Sequence, residues 1–529
     1  MNEGAVASYR WGVARRPGFD DAQVERLLAL VCASDDAHRS TQRSPLDLEP
    51  TVTVRHSSES DVQRAFDGAH AAQAEWARRP LRERARVIGR FHDLVLAEQD
   101  AVCDAIQWEN GKARTHAMDE ILDVCQVSRY YAKRAPQLLR PQRRRGAFPL
   151  ATRARERYAP KGVIGVISPW NYPFNVGLGD LIPALLAGNG VVWKPDLQTM
   201  LTALIGVDLL QEAGVPRELV RVVAGDGAVV GPMVVDRADF VMFTGSTGTG
   251  RVVAARAAAR LVDVSLELGG KNSCIIMADA FIPKAVDIAL RGAFVGAGQV
   301  CVGTERIMVH ELIADEFIAA FSEAVQRLSL GAVIGWGSDM GPLISPAQLA
   351  RTEAHVRDAF EKGATLLAGG RPRPDLGPLM YAPTVLLGVT EEMDVCRAET
   401  FGPVCAIYTW KDEDELVARV NDTEYGLSAA IVTPSTRSAR QLAARLRVGA
   451  VNINEPFGAA WASIDAPMGG VGASGLGRRH GAEGILKYTE SQTIATQSFI
   501  PLAPGRFTDV QWARLATLAL RSLKWLRFR

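Results

Sequence analysis

From Gly162 onward the chain alternates short apolar runs with helical segments, and that alternation restricts its possible folds more than any other feature. Val163–Ile167 is an apolar run broken by Ser168-Pro-Trp-Asn-Tyr-Pro173. A helical pattern follows over 178–187, then a strand at 191–193, a helix at 201–213, a strand at 219–223 and a strand at 239–244 that ends in Gly245. Strands separated by helices of this length are joined by crossovers, so they lie parallel in a doubly wound α/β sheet. A second alternating series spans 268–451, with strands expected at 306–309, 404–408 and 428–432. Ahead of both, residues 59–107 and 114–139 carry apolar side chains at helical spacing. The stretch 467–477 is rich in glycine and reads as irregular chain, and 484–494 returns to a strand-like pattern. At 529 residues the chain exceeds a single core, and two or three domains are expected.

Charge and cysteine usage exclude several classes of function. The net charge of +1 does not suit a chain that grips nucleic acid by bulk charge. Seven cysteines without a C-x-x-C pair read as free thiols of a reducing compartment. The eight histidines are dispersed, so no metal site is expected. Residues 1–16 lack the apolar core of a secretion signal, and no run of about 18 apolar residues occurs. The expected location is the cytoplasm. The basic run Arg140-Pro-Gln-Arg-Arg-Arg145 is read as a solvated connection, with a phosphate or partner site as the alternative.

Three residues are candidates for a nucleophilic thiol, its base and its oxyanion donor. Cys301 follows Gly298-Gln-Val, and the neighbouring Gly296 and Gly298 point to irregular backbone rather than an inert core cysteine. A nucleophilic thiol requires a base and a donor for the oxyanion it creates. Glu267, between apolar neighbours in Leu266-Glu-Leu-Gly-Gly-Lys271, is in a setting that raises a carboxylate pKa toward neutrality. Asn171 has an amide that can donate to an oxyanion, although a turn role would suit the same residue. Phe243-Thr-Gly-Ser-Thr-Gly-Thr-Gly250 is a glycine-rich turn between strand and helix, where Gly245 and Ser246 could meet a phosphate. Lys194, ending the strand before Pro195, can reach ribose hydroxyls or a 2′-phosphate.

In order and spacing these segments resemble the aldehyde dehydrogenase superfamily over nearly the whole chain. The resemblance rests on Ser168-Pro-Trp-Asn-Tyr-Pro, Lys194-Pro-Asp, Phe243-Thr-Gly-Ser, Leu266-Glu-Leu-Gly-Gly-Lys, Gly298-Gln-Val-Cys and Glu399-Thr-Phe-Gly-Pro403. It continues through Asn421-Asp-Thr-Glu-Tyr-Gly-Leu427 and Pro467-Met-Gly-Gly. It implies a Rossmann-like cofactor domain (1–139 and 159–266), an α/β catalytic domain (267–484) and a small β oligomerisation flap (140–158 and 485–500), followed by a tail (501–529). It further implies that Cys301 attacks an aldehyde, Asn171 and the Cys301 N–H hold the oxyanion, and Glu267 activates the water that hydrolyses a thioester. Trp170, Asn171, Lys194, Leu197, Gly245, Ser246, Leu268, Glu399 and Phe401 would hold NADP or NAD. Homodimers or homotetramers are the implied assembly. Relatives that pass the acyl group to CoA typically lack the general-base Glu, and a non-catalytic homologue would lack the nucleophile. Glu267 and Cys301 count against both.

Two departures bear on specificity. NAD-preferring members carry a Glu three residues after the ribose-binding Lys, and here Leu197 stands there, which favours NADP. Lys194-Pro-Asp-Leu-Gln, Ala466-Pro-Met-Gly-Gly-Val-Gly and Gly477-Arg-Arg-His-Gly resemble the subgroup named succinate-semialdehyde dehydrogenase (NADP+) type 2. Yet 175–180 offers no Arg for a distal carboxylate, only Asp180, while Phe174, Phe457 and Trp461 would form an apolar pocket wall. An apolar, aromatic or long-chain aldehyde is therefore the alternative substrate. In the tail, Trp512, Leu515, Ala516, Ala519, Leu523 and Leu526 recur at helical spacing among Arg514, Arg521, Lys524, Arg527 and Arg529. Such a helix packs on its own protein or a sister subunit, or makes peripheral contact with a membrane.

Overall fold

The computed structural model describes residues 17–146, 148, 151–498 and 502–525. Residues 1–16, expected to hold no secretion signal, and 526–529 of the tail lie outside the described residues, as do parts of the expected flap at 147, 149–150 and 499–500. The chain divides into two compact units, one reaching to Leu138 and resuming over Pro160–Tyr488, the other comprising Leu139–Ala159 and the chain from Thr489 onward.

The first unit contains two large sheets. One has six strands in the order Gly475–Leu476, Val264–Glu267, Phe240–Thr244, Val163–Ile167, Gly190–Lys194, Val220–Val222. All pairs are parallel except the first, where the short Gly475–Leu476 strand runs antiparallel beside Val264–Glu267. The other has seven strands in the order Thr365–Ala368, Thr384–Leu387, Val404–Trp410, Thr304–His310, Asn272–Ile276, Ser428–Val432, Ala450–Ile453, again parallel but for its first pair. Val163–Ile167, Gly190–Lys194, Asn272–Ile276 and Ser428–Val432 are buried at every position, as strands covered by helices on both faces must be.

The helical region 59–107 is three helices rather than one pattern: Glu59–Trp76, Leu81–Ala97 and Gln99–Asn110. The first opens on a capping box between Ser58 and Asp61. The second begins directly after Pro80, which cannot continue a preceding helix. The strand expected over 484–494 starts later, at Thr489, because Gly481–Leu486 is a helix that buries Ile485. The hairpin Arg39–Arg43 with Pro50–Arg55 was not anticipated, since only Val52 and Val54 alternate into the core.

In the second unit, Thr489–Gln497, Thr152–Pro160 and Gln142–Arg145 form a three-stranded sheet in that order. The basic run expected as a connection is thus the edge strand Gln142–Arg145. Helix Asp509–Trp525 completes the unit and buries no residue.

One close approach fixes the helix that follows the Asn171 loop. Helix Asn175–Ala187 crosses the strand Gly190–Lys194 so closely that a Cβ on Gly177 would stand 2.1 Å from the Trp193 ring. The Trp193 indole N–H in turn donates to Ser168 Oγ at 2.8 Å, so the ring has no room to swing. Gly177→Ala is expected to destabilise the protein by about 1–3 kcal/mol through overpacking. Urea unfolding checks this, and an unchanged midpoint would mean the helix can move off the sheet.

Candidate active site

In the six-stranded sheet the chain order reverses between Val163–Ile167 and Phe240–Thr244: later strands add on one side through Val222 and then on the other through Glu267. Ligands of open parallel sheets bind beyond the carboxyl ends of the strands at such a reversal. Both strands end in residues singled out above, Ser168-Pro-Trp-Asn171 on one and Thr244-Gly-Ser246 on the other. Glu267 ends the neighbouring strand, and 268–271 then carries the chain into the seven-stranded sheet at Asn272.

Cys301 stands in a tight loop before the strand Thr304–His310. Gly296, Ala297 and Gly298 all take left-handed backbone conformations there. Gly298 is required, because a Cβ would fall 2.0 Å from the Gly402 carbonyl oxygen. That approach ties the Cys301 loop to the segment bearing Glu399 and Phe401. On the other side Asn171 Nδ2 donates to the Gln299 carbonyl at 2.9 Å, leaving its second amide hydrogen available. His116 Nδ1 accepts from the Gly296 N–H at 3.1 Å, and Asn272 Nδ2 donates to the Cys301 carbonyl at 2.7 Å.

Two buried ion pairs of the same design hold the loops on either side. Lys112 Nζ binds Glu120 Oε1 at 2.7 Å and donates to the Asn171 carbonyl at 2.5 Å. Glu120 Oε2 accepts the N–H groups of Phe174 and Asn175. Lys271 likewise binds Glu305 and donates to the Ala398 carbonyl at 2.8 Å. Glu305 accepts the N–H groups of Thr400 and Phe401. Phe401, at φ 56°, meets Trp170 edge to face with ring centroids 5.6 Å apart.

A cavity of about 650 Å³ gathers these groups. Trp170, Asn171, Gly245, Ser246, Glu267, Leu268, Cys301, Glu399, Phe401, Phe457 and Trp461 all line it. Lys194 and Leu197 are not among its lining residues and sit by the adjacent strand end, where Lys194 Nζ donates to the Pro195 carbonyl. The expectation for Phe174 is corrected: it does not line the cavity. It is fully buried where the helix Asn175–Ala187 begins, and Tyr172, in the loop before the helix, and Val176, in its first turn, reach the wall instead. Asp180 is also buried away from the cavity, bound by Arg479 at 2.6 Å, Lys487 at 3.3 Å and Tyr488 at 2.9 Å.

The electrostatics around the thiol are those of a buried, acidic site. Burial pushes the Cys301 thiol up to about 12, with Glu267 and Glu399 adding to the rise and Arg479 opposing it. Glu267 is raised to about 7 by burial, against the pull of Arg479 and Lys487, and its Oε1 has no hydrogen-bond partner. Burial and then Glu305 raise Glu399 to about 7, although it accepts the Gly270 N–H at 2.9 Å. A base that ionises near neutrality beside a protonated thiol suits proton abstraction during a reaction.

Sequence reasoning missed several groups. Arg479 lines the cavity and donates to Thr244 Oγ1 at 2.7 Å. Arg291 also lines it and is paired with Asp287 at 3.0 Å and Glu455 at 3.2 Å. Lys112, Glu120 and His116 act on backbone groups far away in sequence, at Asn171, Phe174 and Gly296. Among the described residues no group of three or more metal-ligating side chains occurs.

The chain matches the family described as "Aldehyde dehydrogenase family" over residues 32–494. It is 46% identical over 516 residues to a protein of Mycolicibacterium smegmatis named "Putative succinate-semialdehyde dehydrogenase [NADP(+)]", covering 96% of this chain and 99% of that one. It is 47% identical over 482 residues to "Putative succinate-semialdehyde dehydrogenase [NADP(+)] 2" of Mycobacterium tuberculosis, covering 91% and 93%. The crystal structure of succinate-semialdehyde dehydrogenase from Burkholderia pseudomallei superposes with a TM-score of 0.84 at 33% identity, covering 88% of this chain and 96% of that one. A doubly wound pair of sheets with a thiol, an amide and a carboxylate around one cavity is the architecture of an aldehyde-oxidising enzyme. The chain belongs to the aldehyde dehydrogenase family.

The Lys112–Glu120 pair is almost completely buried, so losing one partner strands a charge. Lys112→Met is expected to cost about 3–5 kcal/mol of stability. Lys112→Met with Glu120→Leu should recover much of that in urea unfolding, yet kcat should stay low because the Asn171 carbonyl has lost its donor. Full recovery of kcat in the double variant would show that the pair does not position Asn171.

Proposed function

We propose that this protein oxidises an aldehyde to its carboxylic acid with NADP or NAD, through a thioester on Cys301. The observation that carries the reading is the convergence of Cys301, Asn171 and Glu267 on the cavity that Glu399 and Phe401 also line. Cys301 Sγ bonds to the carbonyl carbon as its proton passes to solvent. The oxyanion is held by the free hydrogen of Asn171 Nδ2 and by the Cys301 N–H. When bound, the nicotinamide supplies the hydride acceptor and a positive ring charge. Glu267 then takes a proton from the water that cleaves the thioester, returning the thiol and releasing the acid.

The residues fit a dinucleotide. Lys194 is a buried ammonium whose one acceptor among the described residues is the Pro195 carbonyl, and a Cβ on Gly227, which opens the helix Gly227–Val235, would lie 4.0 Å from its Nζ. Nothing would meet a Cβ on Gly248, so the first turn of helix Thr247–Ala258 opens to space beside Gly245 and Ser246. Lys194 and Leu197 would hold the adenosine ribose, Gly245 and Ser246 the pyrophosphate, and Trp170, Leu268, Glu399 and Phe401 the nicotinamide end. With Leu197 where a carboxylate would repel a 2′-phosphate, NADP is the preferred form. Residues 1–139 and 159–266 then act as the cofactor domain, 267–484 as the catalytic domain, 140–158 with 485–500 as an oligomerisation flap, and 501–529 as an added tail. A cytoplasmic homodimer or homotetramer is the working assembly.

The relatives' names make succinate semialdehyde the first substrate to consider, and Arg291 is one of three cavity-lining arginines, with Arg351 and Arg479, and the one that would meet its carboxylate. A second reading, an uncharged aldehyde, is favoured by the rest of the wall. Asp119, Asp123 and Glu455 line the cavity with Leu122, Phe457 and Trp461, and Arg291 is already paired.

Initial rates with succinate semialdehyde, benzaldehyde and hexanal, each with NAD and NADP, test both readings. Succinate semialdehyde with NADP should give the highest kcat/KM. Arg291→Gln should raise its KM roughly tenfold or more, by loss of a charge-assisted hydrogen bond of about 1.5–3 kcal/mol, and leave hexanal unchanged. A hexanal optimum would select the second reading. The pH profile follows from Glu267, which is protonated below about 7 and so cannot act as base. Activity should rise through pH 7, and Glu267→Gln should abolish turnover while still releasing one burst of reduced cofactor. Absence of that burst would place Glu267 before hydride transfer.

A further inference from the structure

The charge of this chain is strongly segregated. Residues 139–159 and 489–529 carry thirteen Lys and Arg against three Asp and Glu, a net +10, while the remaining residues carry 47 against 56, a net −9. The near-neutral total conceals one basic unit and one acidic unit.

The helix Asp509–Trp525 of the basic unit presents two different faces. Trp512, Ala516, Ala519 and Leu523, spaced at i, i+4, i+7 and i+11, are half-buried. On the opposite side, at the same spacing, Arg514, Leu518, Arg521 and Trp525 are all exposed, Leu518 at 63% and Trp525 at 83%. Lys524 adds a third cation, and the one acidic residue of the helix is Asp509. Alternating large apolar and basic side chains on a fully exposed face are costly in water and match the interface of an anionic bilayer. There Trp and Leu enter the headgroup boundary while Arg and Lys meet phosphates. Among the described residues no helix is long and apolar enough to cross a membrane, so contact would be peripheral. Pairing this exposed face with its own copy would bring Arg514, Arg521 and Lys524 of two chains together, which their mutual repulsion opposes.

We propose that the helix Asp509–Trp525 docks this protein on an anionic lipid surface through Arg514, Leu518, Arg521 and Trp525. The attraction is electrostatic at range and apolar at contact, so both components should be separable. The full-length protein is mixed with phosphatidylcholine vesicles with and without phosphatidylglycerol, which gives the surface a negative potential, and floated through a density gradient. It should float with the anionic vesicles, remain behind with pure phosphatidylcholine, and be released as salt screens the charge. Arg514→Ser with Arg521→Ser should lower the bound fraction roughly tenfold or more, and Leu518→Ser with Trp525→Ser should do the same, with aldehyde oxidation in solution unchanged for both pairs. No flotation with anionic vesicles, or equal flotation with neutral ones, would overturn the proposal. It would also be overturned if Leu518→Ser with Trp525→Ser left flotation intact and lowered the molar mass by light scattering, since the face would then seal a contact between copies.

Discussion

Two buried lysine–glutamate pairs set the geometry on which everything else in the site depends. Lys112–Glu120 and Lys271–Glu305 each bind one backbone carbonyl through the lysine and two successive N–H groups through the glutamate. One fixes the loop that presents Asn171, the other the loop that presents Glu399 and Phe401. Such pairs contribute little net stability, because removing two charges from water costs about what their attraction returns. Their value is directional: each leaves the chain one well-bonded arrangement of a loop that has no regular structure of its own. Cys301 stands between the two, linked to one side through Asn171 and Gln299 and to the other through the close passage of Gly298 past Gly402.

That rigidity also explains the charge states. A cavity walled by hydrogen-bonded loops buries Glu267 and Glu399, and desolvation raises both to about 7. The same burial holds the Cys301 thiol protonated. One cause thus acts on both groups: the burial that gives Glu267 the basicity to take a proton from the hydrolytic water also keeps the resting thiol neutral. Arg479, buried behind Glu267 and bound to Asp180, moderates both shifts.

The regular part of this design was legible in the sequence. Fully buried strands such as Val163–Ile167 and Ser428–Val432 appear as continuous apolar runs, and the glycine-flanked cysteine announced its own irregular loop. What could not be read was contact between residues far apart in sequence. Nothing near Lys112 indicates that it will meet the Asn171 carbonyl, and Arg291 looks like any exposed helix residue until its neighbour Glu455 folds beside it. Phe174 was misassigned for a local reason, since placing it on the wall required knowing the phase of a helix that begins at the next residue. The helix Gly481–Leu486 was hidden by glycines at both its first and fourth positions.

The central claim is that Cys301 carries the acyl group. Its most direct test is mass spectrometry of the Glu267→Gln protein, quenched in acid after a single turnover with excess NADP and aldehyde. The account predicts an acyl adduct confined to the peptide containing Cys301 and absent without cofactor. An unmodified Cys301 peptide alongside a full burst of reduced cofactor, or an adduct on another residue, would contradict it.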